Sequence, residues 1–425
     1  MSDFFPSFFN FVNAAAPFSA KSGFSLALSD PSPPTTFSPP TTFSPPTTFS
    51  PPTTFSPPTT FLSSPLTLQP ATLHAHFHQC VPVMLHPPFS SLQPCWLLFP
   101  QGDGHWHQQG GGWCTTAADC QQRAKTFRGS SRFWPKPTDG NFTRLMNDYH
   151  TQFTGILSAD TITNPVFGNW NLAVLMYCDG GAYMGYKGRV AVGSSRVFYS
   201  GRRVVMLLLE DMLKIRGLST ASAVLITGCS AGGQGVAVSC DWMASRLPST
   251  TTVKCAIDAG YFLDEPDLVG HFSFRGMMQR MMVSQWSDAS FDPQCVKANA
   301  LQHTQTPFLV LNSAFDLAAL AIGLTRGNVE AMTGSYESVV PCYHSERFLS
   351  CPRRIRKYVG HHAIVLRNSL QALVQNRQAA GVQSTAVVPN KTSHCTMAYD
   401  NWSVPDASGV RLRDVVAAWF FGKQL

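Results

Sequence analysis

The chain has 425 residues, of which 44% are hydrophobic and only 13% charged, with a net charge of +7. So low a charged fraction excludes a highly solvated, disordered protein over most of the length, which is ample for a large core or for two to three domains. The positive balance is mild, its densest cluster is Arg353, Arg354, Arg356 and Lys357, and nothing resembles a nucleic-acid-binding module.

Residues 1–20 are rich in Phe and Ala but carry no basic leading stretch, and Asp3, Asn10 and Asn13 interrupt them. They read as a weak secretory signal. No run of 18 apolar residues occurs anywhere, so no membrane span is expected. The hexapeptide Ser-Pro-Pro-Thr-Thr-Phe repeats five times over residues 32–61. Prolines at that density remove amide donors and block both helix and central strand, which predicts a disordered, extended, linker-like arm. Residues 1–65 are therefore set apart as a low-complexity N-terminal segment, and residues 66–425 as the folded domain. Residues 65–100 are apolar but crowded with Pro and His, and no element is assigned there.

From about residue 102 short apolar runs alternate with longer amphipathic ones. Residues 172–177 predict a buried strand and 204–215 a helix, with Val204, Leu207, Leu208, Met212 and Ile215 near helical spacing. A second strand follows at 223–227, a helix at 235–247, a third strand at 307–311, a helix at 361–375 and a fourth strand at 384–388. Strands and helices alternating at these lengths imply right-handed crossovers and a mostly parallel central sheet flanked by helices, an α/β class.

The 12 cysteines form no C-x-x-C pair, and sequons stand at Asn141, Asn390 and Asn401. Together they point to an oxidising, secretory setting. His74-Ala-His76-Phe-His78 and His105-Trp-His107 could each present two metal ligands on one strand face, but no carboxylate cluster accompanies either. No catalytic metal is expected from them.

Gly228-Cys-Ser-Ala-Gly232 fits G-x-S-x-G, entered by an apolar strand and left through a helical pattern. That context suits a nucleophile elbow, where a tight turn lifts the Ser230 hydroxyl clear of the sheet. Cys229 beside it reads as packed or disulfide-bonded. A serine needs a base, and the base an acid, which in α/β-hydrolases follow the nucleophile as acid and then histidine. Asp316 falls just beyond the strand at 307–311, on the edge where catalytic loops gather. Four histidines follow: His344 in a loop, His361 and His362 in a helical pattern, and His394 in the loop after the last strand, where a triad histidine should lie. An oxyanion needs backbone donors held in place. Ala231, after the nucleophile, is one, and Gly110-Gly-Gly112-Trp113 is the obvious source of others.

With these residues in hand, the chain resembles the pectin acetylesterases, in the family that also includes Notum-type carboxylesterases. The resemblance runs from about Gly110 to the C-terminus. It rests on Gly110-Gly-Gly-Trp-Cys114 with Cys120, Phe127-Arg-Gly-Ser-Ser131, Gly155-Ile-Leu-Ser158, Asn164-Pro-Val-Phe-Gly-Asn-Trp-Asn171, Tyr177-Cys-Asp-Gly180, Gly228-Cys-Ser-Ala-Gly-Gly233 and Cys255-Ala-Ile-Asp-Ala-Gly-Tyr-Phe-Leu-Asp264. It implies an α/β-hydrolase fold, Ser230, Asp316 and His394 as triad, and Gly111, Gly112 and Ala231 as oxyanion donors. It further implies hydrolysis of an O-acyl ester without a cofactor: acetyl groups on pectin, or, as an alternative, a lipid acyl group on a protein. A catalytically silent carbohydrate-binding homologue is the reading from another class. Two departures stand out. Where the family carries an apolar strand before the glycine loop, this chain has the polar Gly102-Asp-Gly-His-Trp-His-Gln-Gln109, which predicts a weak strand and a poorly held loop. The cysteine common three or four residues before the base is replaced within Asn390-Lys-Thr-Ser393, which predicts that Cys395 lacks its usual partner.

Overall fold

An eight-stranded sheet organises the computed structural model, which describes residues 10–11, 83–86, 103–133, 154–285, 300–325, 351–399, 402–406 and 408–423. In chain order the strands are β1 (Asn10–Phe11), β2 (Val83–His86), β3 (Gly104–Gln108), β4 (Asn171–Leu175), β5 (Gly188–Val192), β6 (Ser195–Tyr199), β7 (Ala223–Cys229), β8 (Thr252–Asp258), β9 (Phe308–Leu311), β10 (Phe315–Asp316), β11 (Ser384–Val388) and β12 (Thr392–Ser393). The principal helices are α1 (Ala117–Arg123), α2 (Gly201–Lys214), α3 (Ala231–Ala244), α4 (Ser273–Gln285), α5 (Leu317–Thr325), α6 (Arg353–Ala379) and α7 (Leu412–Phe421). The sheet order is β1-β11-β9-β8-β7-β3-β4-β2. Strands β11 through β4 run parallel, and β1 and β2 close the two edges antiparallel. Strands β5 and β6 pair with each other apart from this sheet. The expected α/β architecture is therefore present. Of the expected arm over residues 1–65 only Asn10 and Phe11 are described, and they pair with β11 as an edge strand of the sheet. The rest of the arm, its boundary and the His74–His78 motif lie outside the described residues, while no helix among the described residues is long and apolar enough to cross a membrane.

The parallel strands read as continuous apolar runs because both faces are covered. On β7, Val224 and Ile226 join a core with Val205 and Leu209 of α2, Val236 and Met243 of α3, and Leu366 and Leu370 of α6. Ala223 and Leu225 turn to the other face, against Val415, Val416, Trp419 and Phe420 of α7. Each such aliphatic side chain taken out of water contributes roughly 1.5–3 kcal/mol. Two disulfides, Cys114–Cys120 and Cys240–Cys255, tie the start of α1 and the α3–β8 pair.

Strand β3 corrects the expectation of a weak, polar segment. It lies at the centre of the sheet between β7 and β4, with all five residues buried. Trp106 enters the core beside Ile226, while His105 and His107 face the opposite side, where both imidazoles meet one hydroxyl. His105 Nε2 lies 2.8 Å and His107 Nδ1 2.7 Å from Thr227 Oγ1. Buried polar groups are tolerated when they satisfy one another, so composition alone misjudged this strand. The two histidines are structural partners of Thr227.

That arrangement makes the fold sensitive to acid. Burial pushes the His107 imidazole down from 6.5 to about 4, and burial together with the neighbouring His107 lowers His105 as well. Unfolding restores an imidazole of ordinary pKa, so between 6.5 and 4 the unfolded chain binds more protons and stability falls as pH falls. For His107 the loss amounts to about 3 kcal/mol by pH 4. Urea midpoints should therefore drop between pH 7 and pH 4.5 more steeply in the wild type than in His107→Gln. Equal slopes would contradict the assignment.

Candidate active site

Strand β7 enters the site and α3 leaves it, with Ser230 alone between them at φ 57° and ψ −124°. A non-glycine residue held there stores about 1–3 kcal/mol of backbone strain. The surrounding structure enforces it. The Ser230 amide donates to the Asp258 carbonyl at 2.8 Å. A Cβ on Gly228 would stand 2.4 Å from the Gly232 carbonyl oxygen, and one on Gly232 would stand 2.1 Å from that of Gln108. Only glycine admits so tight a crossing. Ala231 is the first residue of α3, so its amide belongs to the turn that finds no carbonyl within the helix.

The candidate acid and base, Asp316 and His394, meet through two very short strands. Strands β10 and β12 pair in parallel, with Phe315 opposite Thr392 and Asp316 opposite Ser393. Asp316 is buried, and its Oδ1 accepts the amides of Ala318 and Ala319 at 3.0 and 2.9 Å at the start of α5. Its Oδ2 lies 2.8 Å from His394 Nδ1. Burial alone would lower the His394 imidazole, but the Asp316 carboxylate, with Asp258 adding to it, more than offsets this and raises its pKa above 6.5. The His394 side chain remains 19% exposed. Of the other histidines, His361 is exposed on α6 and His362 is buried against Glu265, while His344 lies outside the described residues.

Cys395 does have a partner. It bridges to Cys229, with 5.3 Å between the two Cα atoms and 166 residues of sequence between them. The residue before Ser230 is thus covalently joined to the residue after His394, which brings the elbow and the histidine loop together.

The glycine loop lies against the elbow. A Cβ on Gly110 would stand 2.6 Å from the Cys229 carbonyl oxygen and 2.8 Å from Ser230 Cβ. Gly111 and Gly112 take φ of 149° and 68°, both in the region that favours glycine. The loop is held by its carbonyls. Arg123 Nη1 donates to Gly111 O at 2.8 Å, and Tyr177 OH donates to Gly112 O at 2.8 Å while accepting the Ala182 amide. The Arg123 guanidinium also lies over the Tyr177 ring, 5.0 Å from its centroid. In a trans peptide the carbonyl and amide point in opposite directions, so fixing Gly111 O turns the Gly112 N–H away from Arg123. Next in the chain, the Trp113 indole donates to Gln234 Oε1 at 2.8 Å and packs edge-on against Phe262. The loop is thus anchored at three points, contrary to the poor positioning expected from its polar approach.

Sequence reasoning did not single out Arg123, and it met Tyr177 and Asp258 only inside family motifs, with no role attached to either. The usable signals were slight: a lone arginine after Cys120, a tyrosine closing the run at 172–177, and an aspartate ending the apolar run of β8. Arg123→Met, which keeps bulk over Tyr177 but loses the charged donor, should lower kcat about 10- to 100-fold, with KM nearly unchanged. Steady-state kinetics on p-nitrophenyl acetate provides the check, and a raised KM at constant kcat would assign Arg123 to substrate binding instead.

Comparison with known proteins follows the same geography. A family model described as Pectinacetylesterase matches residues 98–425. Pectin acetylesterase 5 of Arabidopsis thaliana is 33% identical over 220 residues, covering 49% of this chain and 48% of that protein, so the chain spans about half of that relative. Pectin acetylesterase 4 of the same plant is 26% identical over 344 residues, covering 77% and 75%. The human palmitoleoyl-protein carboxylesterase NOTUM is 30% identical over 175 residues, covering 40% and 30%. Among solved structures, the Wnt deacylase Notum from Drosophila superposes with a TM-score of 0.58 over 80% of this chain and 87% of that one, at 18% identity. That likeness establishes the fold as α/β-hydrolase-like.

Proposed function

Since the chain belongs to the pectinacetylesterase family, we propose that it is a serine carboxylesterase that removes acetyl groups from pectin or a related cell-wall polysaccharide. The observation that carries this reading is the His394–Asp316 pair, joined through Cys229–Cys395 to the strained elbow at Ser230. In this reading Ser230 Oγ attacks the acyl carbon and passes its proton to His394 Nε2. Asp316, on Nδ1, holds the tautomer that leaves Nε2 free to accept it and steadies the imidazolium. The tetrahedral oxyanion is met by the amides of Gly111, Gly112 and Ala231. Collapse expels the sugar hydroxyl, which leaves with the Nε2 proton. Water then attacks the acetyl-serine, His394 takes its proton, acetate departs and Ser230 recovers its hydrogen. No metal or organic cofactor enters.

In this proposal residues 66–425 carry the catalytic machinery, and residues 1–65 are an appended segment from which Asn10–Phe11 pairs with β11 at the sheet edge. The disulfides Cys114–Cys120, Cys229–Cys395 and Cys240–Cys255 support a secreted, cell-wall setting. A second reading, a Notum-like esterase of lipid or protein O-acyl groups, draws on the aromatic group Trp113, Phe262 and Phe274 beside the glycine loop. The silent carbohydrate-binding reading leaves the elbow strain and the anchored His394–Asp316 pair without a purpose.

The test is acetate release from acetylated pectin, beside hydrolysis of p-nitrophenyl acetate and of a long-chain p-nitrophenyl ester. Acetate from pectin is the expected result. Cleavage of the long-chain ester alone would move the substrate to lipid esters, and no turnover by folded protein would leave the binding role.

A further inference from the structure

Strand β8 ends at Asp258, directly opposite Cys229 in the sheet register. Its two ends of hydrogen bonding go to different parts of the site. The main-chain oxygen accepts the Ser230 amide at 2.8 Å. The side-chain Oδ2 accepts the Met397 amide at 2.6 Å, and the carboxylate also takes the amide of Thr396. Thr396 and Met397 follow His394 and Cys395 in the same loop. Asp258 is 1% exposed, and a buried carboxylate is retained only where it has work for its lone pairs.

We propose that Asp258 is a positioning residue, which locks the His394 loop onto the nucleophile elbow and gives the imidazolium a second carboxylate beside Asp316. The inference rests on the triad reading above. Asp316 fixes the ring through Nδ1, while Asp258 fixes the backbone beyond it, so the histidine is held from two sides by groups on β10 and β8. The disulfide Cys229–Cys395 runs alongside, between the same two loops.

The electrostatics agree with this geometry. Burial pushes the Asp258 carboxyl up to about 7, while the Met397 and Thr396 amides and His394 draw it down and Asp316 pushes it up again. The groups that face this centre are His394, Asp316 and Asp258, with Tyr399 near Asp258 and Arg128 near Tyr399. Removing the Asp258 charge takes away one of the two anions that favour the His394 imidazolium, so the base should become weaker.

The pH dependence of kcat/KM on p-nitrophenyl acetate, measured on the full chain, tests the proposal. Asp258→Asn keeps an oxygen for the loop amides and should move the acid limb to lower pH, with a modest change at the plateau. Asp258→Ala, which leaves those amides without an acceptor, should also lower plateau kcat by about 10- to 100-fold. An acid limb unmoved in Asp258→Asn would overturn the inference, provided activity still depends on Ser230. Activity that survives Ser230→Ala would instead overturn the triad reading beneath it. Should Asp258→Ala fail to fold, Asp258→Asn decides the matter alone: an acid limb moved to lower pH is the expected result, and an unmoved limb overturns the proposal.

Discussion

Ser230→Ala is expected to lower kcat for acetyl esters by about a millionfold, leaving the residual rate that an oxyanion site and binding supply without a nucleophile. The size follows from the geometry. Ser230 is the one residue between β7 and α3, it is 6% exposed, and its backbone sits at a positive φ that costs free energy. Nothing in packing requires a hydroxyl there, and alanine has the same Cβ and suffers the same backbone strain. The substitution should therefore leave the circular dichroism spectrum and Tm essentially unchanged. Turnover within tenfold of wild type would remove Ser230 from the mechanism.

Asp316→Asn should lower kcat by about 10,000-fold at neutral pH. The amide oxygen can still accept the Ala318 and Ala319 amides at the start of α5, so the fold should hold. The change falls on the bond from Oδ2 to His394 Nδ1. An amide NH2 there donates to Nδ1, which drives the ring proton to Nε2 and leaves no lone pair to accept the serine proton. The imidazolium also loses its buried counter-charge. A loss of less than tenfold, measured at saturating substrate, would contradict Asp316 as the orienting acid.

How much of this was legible depended on whether the cause was local. The elbow was legible because strand, turn and helix lie within one stretch, although the glycines at 232, 233 and 235 hid the first turn of α3, which begins at Ala231 and not near residue 235. Those glycines are poor helix formers kept for close approach, Gly232 to Gln108 O, Gly233 to Asp258 O and Gly235 to Ala182 O. The pairing of Asp316 with His394 was expected from chain order, but β10 and β12 have two residues each, too few to show a period. Strand β3 was misread because its polarity is resolved only by Thr227, 120 residues away in sequence from His107. Strand β8 carries Lys254 within its apolar run, and only the fold shows its ammonium reaching Gln383 Oε1 and the Trp419 carbonyl. Helix α6 starts at Arg353, eight residues ahead of the expected 361, because its first turn is basic and adds little to an apolar period. Cys395 was expected to lack its usual partner, and the long separation to Cys229 hid the replacement.

The measurement closest to the central claim is covalent trapping of the nucleophile. Protein incubated with an alkyl fluorophosphonate should take up one equivalent, lose esterase activity in step, and carry the added mass on the peptide containing Ser230, with no labelling of Ser230→Ala. Label on a different residue, or full activity in protein that has reacted at Ser230, would contradict the account.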